Sequence, residues 1–211
     1  MQCLLCGSET KLFFTYEARL GQQYYQCSGC SSVQLHPDFY VTREEEKARY
    51  LTHNNDVHDP GYRKFVSPIV NGILEDYEPS HKGLDFGSGT GPVIAKMLRD
   101  RSYSITTYDP FFSPDEDALN STYDYIACCE VAEHFHQPKE EFTRLKHLLR
   151  PGGSLYLKTD LYDATIDFAG WRYKDDETHT FIYHADAFRW IKEKVGFSEL
   201  KIMPDLIVLR K

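Results

Sequence analysis

The sequence predicts an α/β fold with a mostly parallel sheet, preceded by a small N-terminal zinc ribbon. Three observations lead to this prediction. Two Cys-x-x-Cys pairs stand near the start of the chain, a glycine-rich segment follows an apolar strand at residues 84–91, and strands and amphipathic helices alternate beyond it. We therefore expect a zinc ribbon at residues 1–40, a helical linker at 41–80 and the α/β domain at 81–211.

The cysteine pairs are Cys3 with Cys6 and Cys27 with Cys30. Four thiolates at this spacing are typical of a zinc ribbon, in which they complete a tetrahedron and leave no open coordination position. The zinc is expected to be structural, because so small a segment has no core of its own. Two disulfides are the alternative, which is disfavoured because the N-terminus begins a metal motif and not a signal peptide.

The linker and the α/β domain follow with alternating elements. Only residues 110–122 separate the second strand of the domain from the next one, which is too little chain for a helix and a full strand, so Leu119 marks at most a fragment of a third strand. Periodicity predicts helices at 44–50, 62–77, 139–149 and 186–195, and strands at 104–108, 123–129 and 154–159. Cys128 and Cys129 fall inside an apolar strand and are expected to be core residues.

The segment 84–91 reads LDFGSGTG and predicts a nucleoside-binding loop between a strand and a helix. Its glycines let the backbone turn tightly beside a ligand, and a helix that begins near Pro92 presents free N–H groups. The G-x-G-x-G spacing differs from the G-x-G-x-x-G of NAD-binding loops and points to S-adenosylmethionine. Asp85 is placed to hold the ammonium group of that cofactor, and Asp109 follows the next strand, where an acid commonly binds ribose hydroxyls.

Four segments together resemble the class I S-adenosylmethionine-dependent methyltransferases over residues 62–211. They are LDFGSGTG, TYDP at 107–110, YDYIACCEVAEHF at 123–135 and LRPGGSLYL at 149–157. The resemblance implies a Rossmann-like sheet of order 3-2-1-4-5-7-6, with a C-terminal antiparallel hairpin around Pro204 and here a shortened or missing third strand. We expect the cofactor to contact Asp85, Phe86, Gly87, Ser88, Gly89, Gly91, Asp109, Pro110 and Glu130. Adenine contacts are not assigned, since they usually come from the region of the third strand.

Two segments are candidates for the chemistry of methyl transfer. Glu130-x-x-Glu133-His134 resembles a loop of ubiquinone-biosynthesis O-methyltransferases and small-RNA 2′-O-methyltransferases, in which carboxylates and histidine hold a divalent metal. Together with His179 or His184, this set implies an oxygen-rich Mg²⁺ site. Class I enzymes without metal carry the same string, and a plain helix-start loop is a further alternative. We expect His134 and His179 to line the pocket and to accept a proton there.

Two further segments are predicted to surround the pocket. Aromatic and His/Asn residues between Tyr50 and Tyr62 are expected to cap the cofactor, with a hydrated linker as the alternative. After the fifth strand, the aromatic residues Phe168, Trp171, Tyr173 and Tyr183 are expected to form an apolar wall over the acceptor or to pack in the core.

Charge and hydropathy narrow the range of functions. The formal net charge of −8 and the few basic residues of the ribbon argue against a generic nucleic-acid binder. No apolar run approaches the roughly 20 residues of a membrane helix, so a cytoplasmic protein is expected. The sequence favours methylation of an O or N atom of a small polar molecule. An RNA-modifying enzyme, marked by a basic surface beside the cleft, and a catalytically silent module with a protein partner are the alternatives.

Overall fold

The computed structural model describes residues 1–52 and 55–211 and contains two sheets. The strands are β1 (Thr10–Tyr16), β2 (Gln22–Cys27), β3 (Val33–Leu35), β4 (Lys82–Phe86), β5 (Ser104–Tyr108), β6 (Tyr123–Cys129), β7 (Leu149–Lys158), β8 (Phe181–Ile182), β9 (Glu199–Met203) and β10 (Leu206–Arg210). The α-helices are α1 (Arg43–Tyr50), α2 (Pro60–Asp76), α3 (Val93–Arg99), α4 (Pro138–Leu148) and α5 (Ala185–Trp190), and a π-helical turn, Ile191–Gly196, continues α5.

The larger sheet has six strands in the order β5-β4-β6-β7-β10-β9. Strands β5, β4, β6 and β7 are parallel, and β10 is antiparallel to both β7 and β9. This is the expected order without its third strand, which confirms the predicted fold. The chain between β5 and β6 contains a 3₁₀ turn, Glu116–Asn120, that includes Leu119. Strand β5 therefore forms the outer edge of this sheet.

The core of the larger sheet lies on both of its faces. On one face, α2 contributes the buried side chains of Val66, Ile69, Val70 and Ile73, which pack with those of α3. Helical spacing also predicts Phe65 on this apolar face, but it is 40% exposed and its ring lies 4.5 Å from Lys158 Nζ. Helix α4 supplies the other face with three buried apolar side chains, those of Phe142, Leu145 and Leu148. The core thus holds the carboxyl ends of the parallel strands in a fixed arrangement.

The smaller sheet joins the N-terminal ribbon to the C-terminal half of the chain. Its order is β1-β2-β3-β8, so the last strand comes from residues 181–182. Val33 pairs with Ile182 and Gln34 with Phe181 in antiparallel register. The boundaries 1–40, 41–80 and 81–211 stay a prediction, but the ribbon shares a sheet with the segment that follows residue 180. None of the helices within residues 1–52 and 55–211 is long and apolar enough to span a membrane.

Candidate active site

A cavity of about 980 Å³ opens at the carboxyl ends of the parallel strands. Strand β4 pairs with β5 on one side and with β6 on the other, so the order of the strands in the sheet reverses at β4. Open α/β sheets bind their ligands at such a reversal. The loops after β4, β5 and β6 line the cavity, together with helix α1 and the segment 171–179. Seven of the nine predicted cofactor residues lie in this lining: Phe86, Gly87, Ser88, Gly89, Asp109, Pro110 and Glu130.

The glycine-rich loop is packed closely on both sides. Gly87 and Gly89 adopt left-handed backbone with φ of +78° and +63°, which favours glycine. A Cβ on Gly87 would lie 2.3 Å from a methyl carbon of Val131, in the loop after β6. On the other side, a Cβ on Gly91 would lie 1.7 Å from the carbonyl oxygen of Asn55. Gly91 does not line the cavity, and its lack of a side chain instead lets residue 55 approach the loop.

The two acidic residues predicted to bind the cofactor have different surroundings. Asp109 lies in the lining, where Oδ2 accepts a hydrogen bond from Gly89 N at 2.9 Å and Oδ1 accepts from Phe111 N and Phe112 N. Asp85 is buried beneath the loop and is not among the lining residues; its Oδ2 accepts from Ala95 N, in α3, at 3.2 Å. Burial raises the pKa of Asp85 to about 7.

The predicted cap contributes three lining residues, namely Tyr50, Asn55 and Tyr62. The Tyr50 ring lies 5.3 Å from that of His134 and therefore reaches the centre of the site. His53 and Asn54, which belong to the same prediction, lie outside the described residues.

A cluster of one carboxylate and two imidazoles lies at the cavity, with the two imidazoles in its lining and the carboxylate buried outside the lining. It contains Glu133, His134 and His179, whose candidate ligand atoms all lie within 4.8 Å of one another. Glu133 is fully buried; its Oε2 accepts from Thr159 Oγ1 at 3.0 Å, while its Oε1 has no hydrogen-bond partner among residues 1–52 and 55–211. That orphan oxygen lies 4.0 Å from His179 Nε2. An unsatisfied buried carboxylate oxygen is costly, which marks this position as one that expects a proton donor or a cation.

The hydrogen bonds of the two histidines fix their tautomers. His134 Nδ1 lies 3.0 Å from the carbonyl oxygen of Thr178, and His179 Nδ1 lies 2.7 Å from that of Tyr173. Because a carbonyl only accepts, each Nδ1 must carry a proton, and in the neutral ring the lone pair is then on Nε2. Burial lowers the pKa of His179, and the neighbouring His134 lowers it further, so the neutral form is favoured.

Glu130 lies beside this cluster and outside it. The residue has a left-handed φ of +51°, which is unusual for a side chain other than glycine and indicates backbone strain. Burial raises its pKa to about 9, and the charge of Glu133 adds to the shift. His184 is also outside the cluster, since its Nδ1 accepts from Asp186 N and caps α5. The structure therefore selects His179, and not His184, as the partner of Glu133.

The predicted aromatic wall divides between the cavity and the core. Trp171 and Tyr173 line the cavity, with ring centroids 5.1 Å apart. Phe168 instead packs against Tyr24 of the ribbon, and Tyr183 is buried with its hydroxyl donating to the carbonyl of Ala132. Thr159 and Tyr108 were missed by sequence analysis, although each stands at the carboxyl end of a parallel strand, where a polar side chain is a signal in itself.

The four ribbon cysteines meet in space as predicted. Their sulfur atoms lie within 4.8 Å of one another, with Cys3 and Cys30 3.7 Å apart and Cys6 and Cys27 3.3 Å apart. A tetrahedral zinc with Zn–S bonds of about 2.3 Å needs sulfurs roughly 3.8 Å apart. Cys27 Sγ also accepts from the backbone N–H groups of Gly29 and Cys30. The set fits zinc, and these separations are far above the ~2.05 Å of a disulfide.

Residues 59–201 match the model of a family described as a methyltransferase domain, which is more than half of the chain. The chain belongs to this family. The match begins just before α2 and ends in β9, so it contains the glycine-rich loop, Asp109 and the Glu133 cluster. Members of the family depend on S-adenosylmethionine, which confirms the class predicted from the sequence.

Among solved structures, this methyltransferase domain is similar to an S-adenosylmethionine-dependent methyltransferase from Archaeoglobus fulgidus. The TM-score is 0.55 at 14% identity, over 71% of this chain and 94% of the other, a likeness that concerns the fold. Two curated relatives are each named tRNA U34 carboxymethyltransferase. The one from Helicobacter acinonychis is 28% identical over 56% of this chain, and the one from Pseudoalteromonas atlantica is 24% identical over 65%. The chain spans about half the length of these relatives, 56% and 49% respectively.

Proposed function

We propose that this methyltransferase domain transfers a methyl group from S-adenosylmethionine to a nucleoside of RNA. The observation that carries the acceptor class is a continuous row of rings along the cavity. Tyr50, His134, His179, Tyr173 and Trp171 follow one another with centroid separations of 5.3, 4.8, 4.3 and 5.1 Å. The names of the two curated relatives favour RNA over the small polar molecule expected from the sequence.

A row of rings suits an unstacked base because every nucleobase has a flat apolar face. Stacking on an aromatic side chain contributes about 1–3 kcal/mol per base and tolerates any sequence. Trp171 and Tyr173 would form the face on which the base lies. Arg172, an exposed cation between them in sequence and also in the cavity lining, is placed for a phosphate oxygen.

The cofactor supplies an electrophilic methyl group, and the chain has to orient the acceptor and remove its proton. We assign cofactor binding to the loop 86–89, to Asp109, Pro110 and Glu130 in the lining, and to Asp85 and Gly91 behind it. Proton acceptance is assigned to His134 and His179, whose Nε2 atoms have free lone pairs. The carboxylate of Glu133, 4.0 Å from His179, would stabilise the imidazolium that forms. The surrounding rings exclude water and strengthen that interaction.

A divalent metal is the alternative use of the same cluster. Glu133, His134 and His179 would hold it, and the metal would supply Lewis-acid assistance by lowering the pKa of an acceptor hydroxyl. The donor set contains two imidazole nitrogens and one carboxylate, which suits Zn²⁺, Mn²⁺ or Fe²⁺ better than the Mg²⁺ expected from the sequence. The ribbon cysteines would hold a separate, structural zinc.

A small polar acceptor is the second candidate, and charge favours it. Four arginines line the cavity, Arg43, Arg49, Arg144 and Arg172, against the seven acidic residues Glu46, Asp109, Glu130, Glu141, Asp160, Asp175 and Asp176. Two of the arginines are paired with acids, Arg49 with Asp176 and Arg144 with Glu141. The lining therefore lacks the net positive charge of an extended RNA track, and an RNA acceptor would have to be held mainly by stacking.

The experiment incubates the purified chain with radiolabelled S-adenosylmethionine and either total tRNA or a low-molecular-mass cell extract, with and without a chelator. Label in tRNA that disappears with Glu133→Gln supports the proposal. Label confined to the low-mass fraction overturns the RNA acceptor and supports the second candidate. Cofactor binding without transfer to either fraction supports a silent module, for which the exposed Leu12 and Leu20 of the ribbon would offer a contact. Loss of label with chelator, restored by Mn²⁺, supports the metal.

A further inference from the structure

Strand β8 connects the zinc ribbon to the acceptor side of the cavity. The strand follows directly after His179 and Thr180 and completes the ribbon sheet beside β3. Leu35 N, at the end of β3, donates to the carbonyl oxygen of Thr180 at 2.9 Å. The ribbon and the site therefore share one short stretch of backbone.

Thr180 bonds the ribbon on one side and the loop of Glu133 on the other. It is almost fully buried, and its backbone N donates to the carbonyl oxygen of Glu133 at 2.9 Å. Its hydroxyl lies 3.4 Å from the same oxygen and 3.2 Å from the carbonyl oxygen of Phe135. These bonds determine how far the loop after β6 stands from the backbone of His179, and hence the separation of Glu133 and His179.

The ribbon also supports the segment 171–179 from behind. The hydroxyl of Tyr24 donates to the carbonyl of Lys174 at 3.0 Å, and the Arg19 guanidinium donates to that of Asp175 at 2.7 Å. The glycine-rich loop is bonded to a different element, since Gly87 N and Ser88 N both donate to the carbonyl of Tyr108 on β5. The glycine-rich loop and the segment 171–179 are thus anchored by different parts of the fold.

We infer that Thr180 and the β3–β8 pairing position Glu133 and His179, so that zinc in the ribbon sustains methyl transfer without taking part in cofactor binding. This inference rests on the proposed function for the roles of Glu133 and His179. Thr180 is a positioning residue, because it acts on the reacting groups through the backbone of the loops that carry them.

The test compares Thr180→Val, which keeps the shape of the side chain and removes its hydroxyl, with Thr180→Ser, which keeps the hydroxyl. Ser28→Ala is the control, since the Ser28 hydroxyl donates to the carbonyl oxygen of Glu9 within the ribbon, away from β8. Ring ¹H–¹⁵N spectra of His134 and His179 report the site, calorimetry reports cofactor affinity, and kcat and KM are read with any acceptor found. A displacement of about 1 Å lowers turnover roughly 100-fold, so kcat should fall about 10- to 100-fold in Thr180→Val. Thr180→Ser and the control should stay near wild type.

Removing zinc from the wild-type chain should have the same effects as Thr180→Val. The histidine ring resonances should move in zinc-released protein and in Thr180→Val, while cofactor affinity changes by less than about threefold. Ring spectra that stay unchanged in both overturn the inference. Equal loss of ring order and of cofactor affinity also overturns it, because the ribbon would then hold the whole fold.

If Thr180→Val does not fold, Ser32→Ala replaces it as the test variant. It removes a hydrogen bond between the ribbon and the residues after β8, since Ser32 Oγ accepts from His184 N at 3.1 Å. A smaller shift of the same resonances is then expected, and its absence overturns the inference. A wild-type chain that binds the cofactor and methylates nothing contradicts the proposed function alone, since the ring spectra still report the coupling.

Discussion

The orphan oxygen of Glu133 faces Nε2 of His179 across 4.0 Å, in a position that solvent does not reach. Leaving a carboxylate half-satisfied inside a protein lowers the free energy of unfolding, and such strain is usually retained where it serves binding or chemistry. The pair is therefore the part of the site that mutation should test first.

Glu133→Gln should lower kcat by about 10²- to 10⁴-fold, the usual contribution of acid–base assistance. The variant should unfold at no lower temperature than wild type, because an unpaired buried charge is removed. Turnover and differential scanning calorimetry measure the two effects. Glu141→Gln, in the same cavity lining but paired with Arg144, should leave turnover nearly unchanged. A Glu133→Gln variant with normal turnover would remove Glu133 from the chemistry.

His179→Ala should reduce turnover much more than cofactor affinity, since we propose that the imidazole faces the acceptor and its loop is separate from the glycine-rich loop. His184→Ala is the matched control, because His184 caps α5. Losing that cap should cost about 1 kcal/mol of stability and little activity. Kinetics and calorimetry on both variants decide the matter, and equal losses of turnover and cofactor affinity in His179→Ala would reassign it to structure.

Asp85→Asn should have opposite effects on stability and on cofactor binding. The pKa of Asp85 is raised from 3.8 to about 7, so the stability linked to its neutral form is fully present below about pH 4 and is lost as the pH rises through 7. In the cofactor-free chain, asparagine should therefore be neutral near pH 4 and stabilising by up to a few kcal/mol at pH 8. Urea unfolding at the two pH values measures this difference.

The same variant should bind S-adenosylmethionine more weakly at pH 8. A charge-assisted hydrogen bond to the cofactor ammonium contributes roughly 1.5–3 kcal/mol, which corresponds to an affinity loss of about 10- to 150-fold. Unchanged affinity by calorimetry would show that the carboxylate serves only the N–H group of Ala95, its partner in the structure.

Gly91→Ala should weaken cofactor binding at least about tenfold, because the new Cβ would lie 1.7 Å from the carbonyl oxygen of Asn55 and displace the cap. Gly152→Ala makes a suitable comparison. Gly152 has φ of +80° with open space around it, so that variant should lose about 1 kcal/mol of stability and keep its affinity. Similar affinities for the two variants would argue that the cap is not part of the cofactor site.

Cys27→Ser should lower the zinc content by one ion per chain and destabilise the ribbon. Cys128→Ala, in the core strand β6, should keep the wild-type metal content. Elemental analysis of the purified variants gives the stoichiometry. Zinc that is lost equally from both variants would contradict a site built by the four N-terminal cysteines.

Sequence analysis predicted the parts of the fold that local chemistry determines. The tight turn at the glycines of the 84–91 loop, the apolar periodicity of α2 and the short connection between β5 and β6 each leave a clear pattern. The structure confirms all three, except that Phe65 of α2 is exposed. The structure also confirms that the four N-terminal cysteines lie together. This could be predicted because Cys-x-x-Cys spacing specifies the turn as well as the ligands.

Features that depend on long-range contacts left no such pattern. Strand β8 has only two residues, too few for any periodicity, so its pairing with β3 was not predicted. Nothing in the string from Glu130 to His134 tells which carboxylate will be fully buried, and nothing near His179 or His184 tells which one will cap a helix. These outcomes depend on tertiary packing, which a local pattern does not contain.

The β3–β8 pairing imposes an order on the biosynthesis of the chain. The ribbon strands leave the ribosome before β8, so the outer edge of β3 stays unpaired until residues 181 and 182 have been translated. At ordinary elongation rates that interval is on the order of ten seconds, during which the nascent ribbon offers an open strand edge to other chains. Early capture of zinc by its four cysteines would protect the newly made segment through that wait.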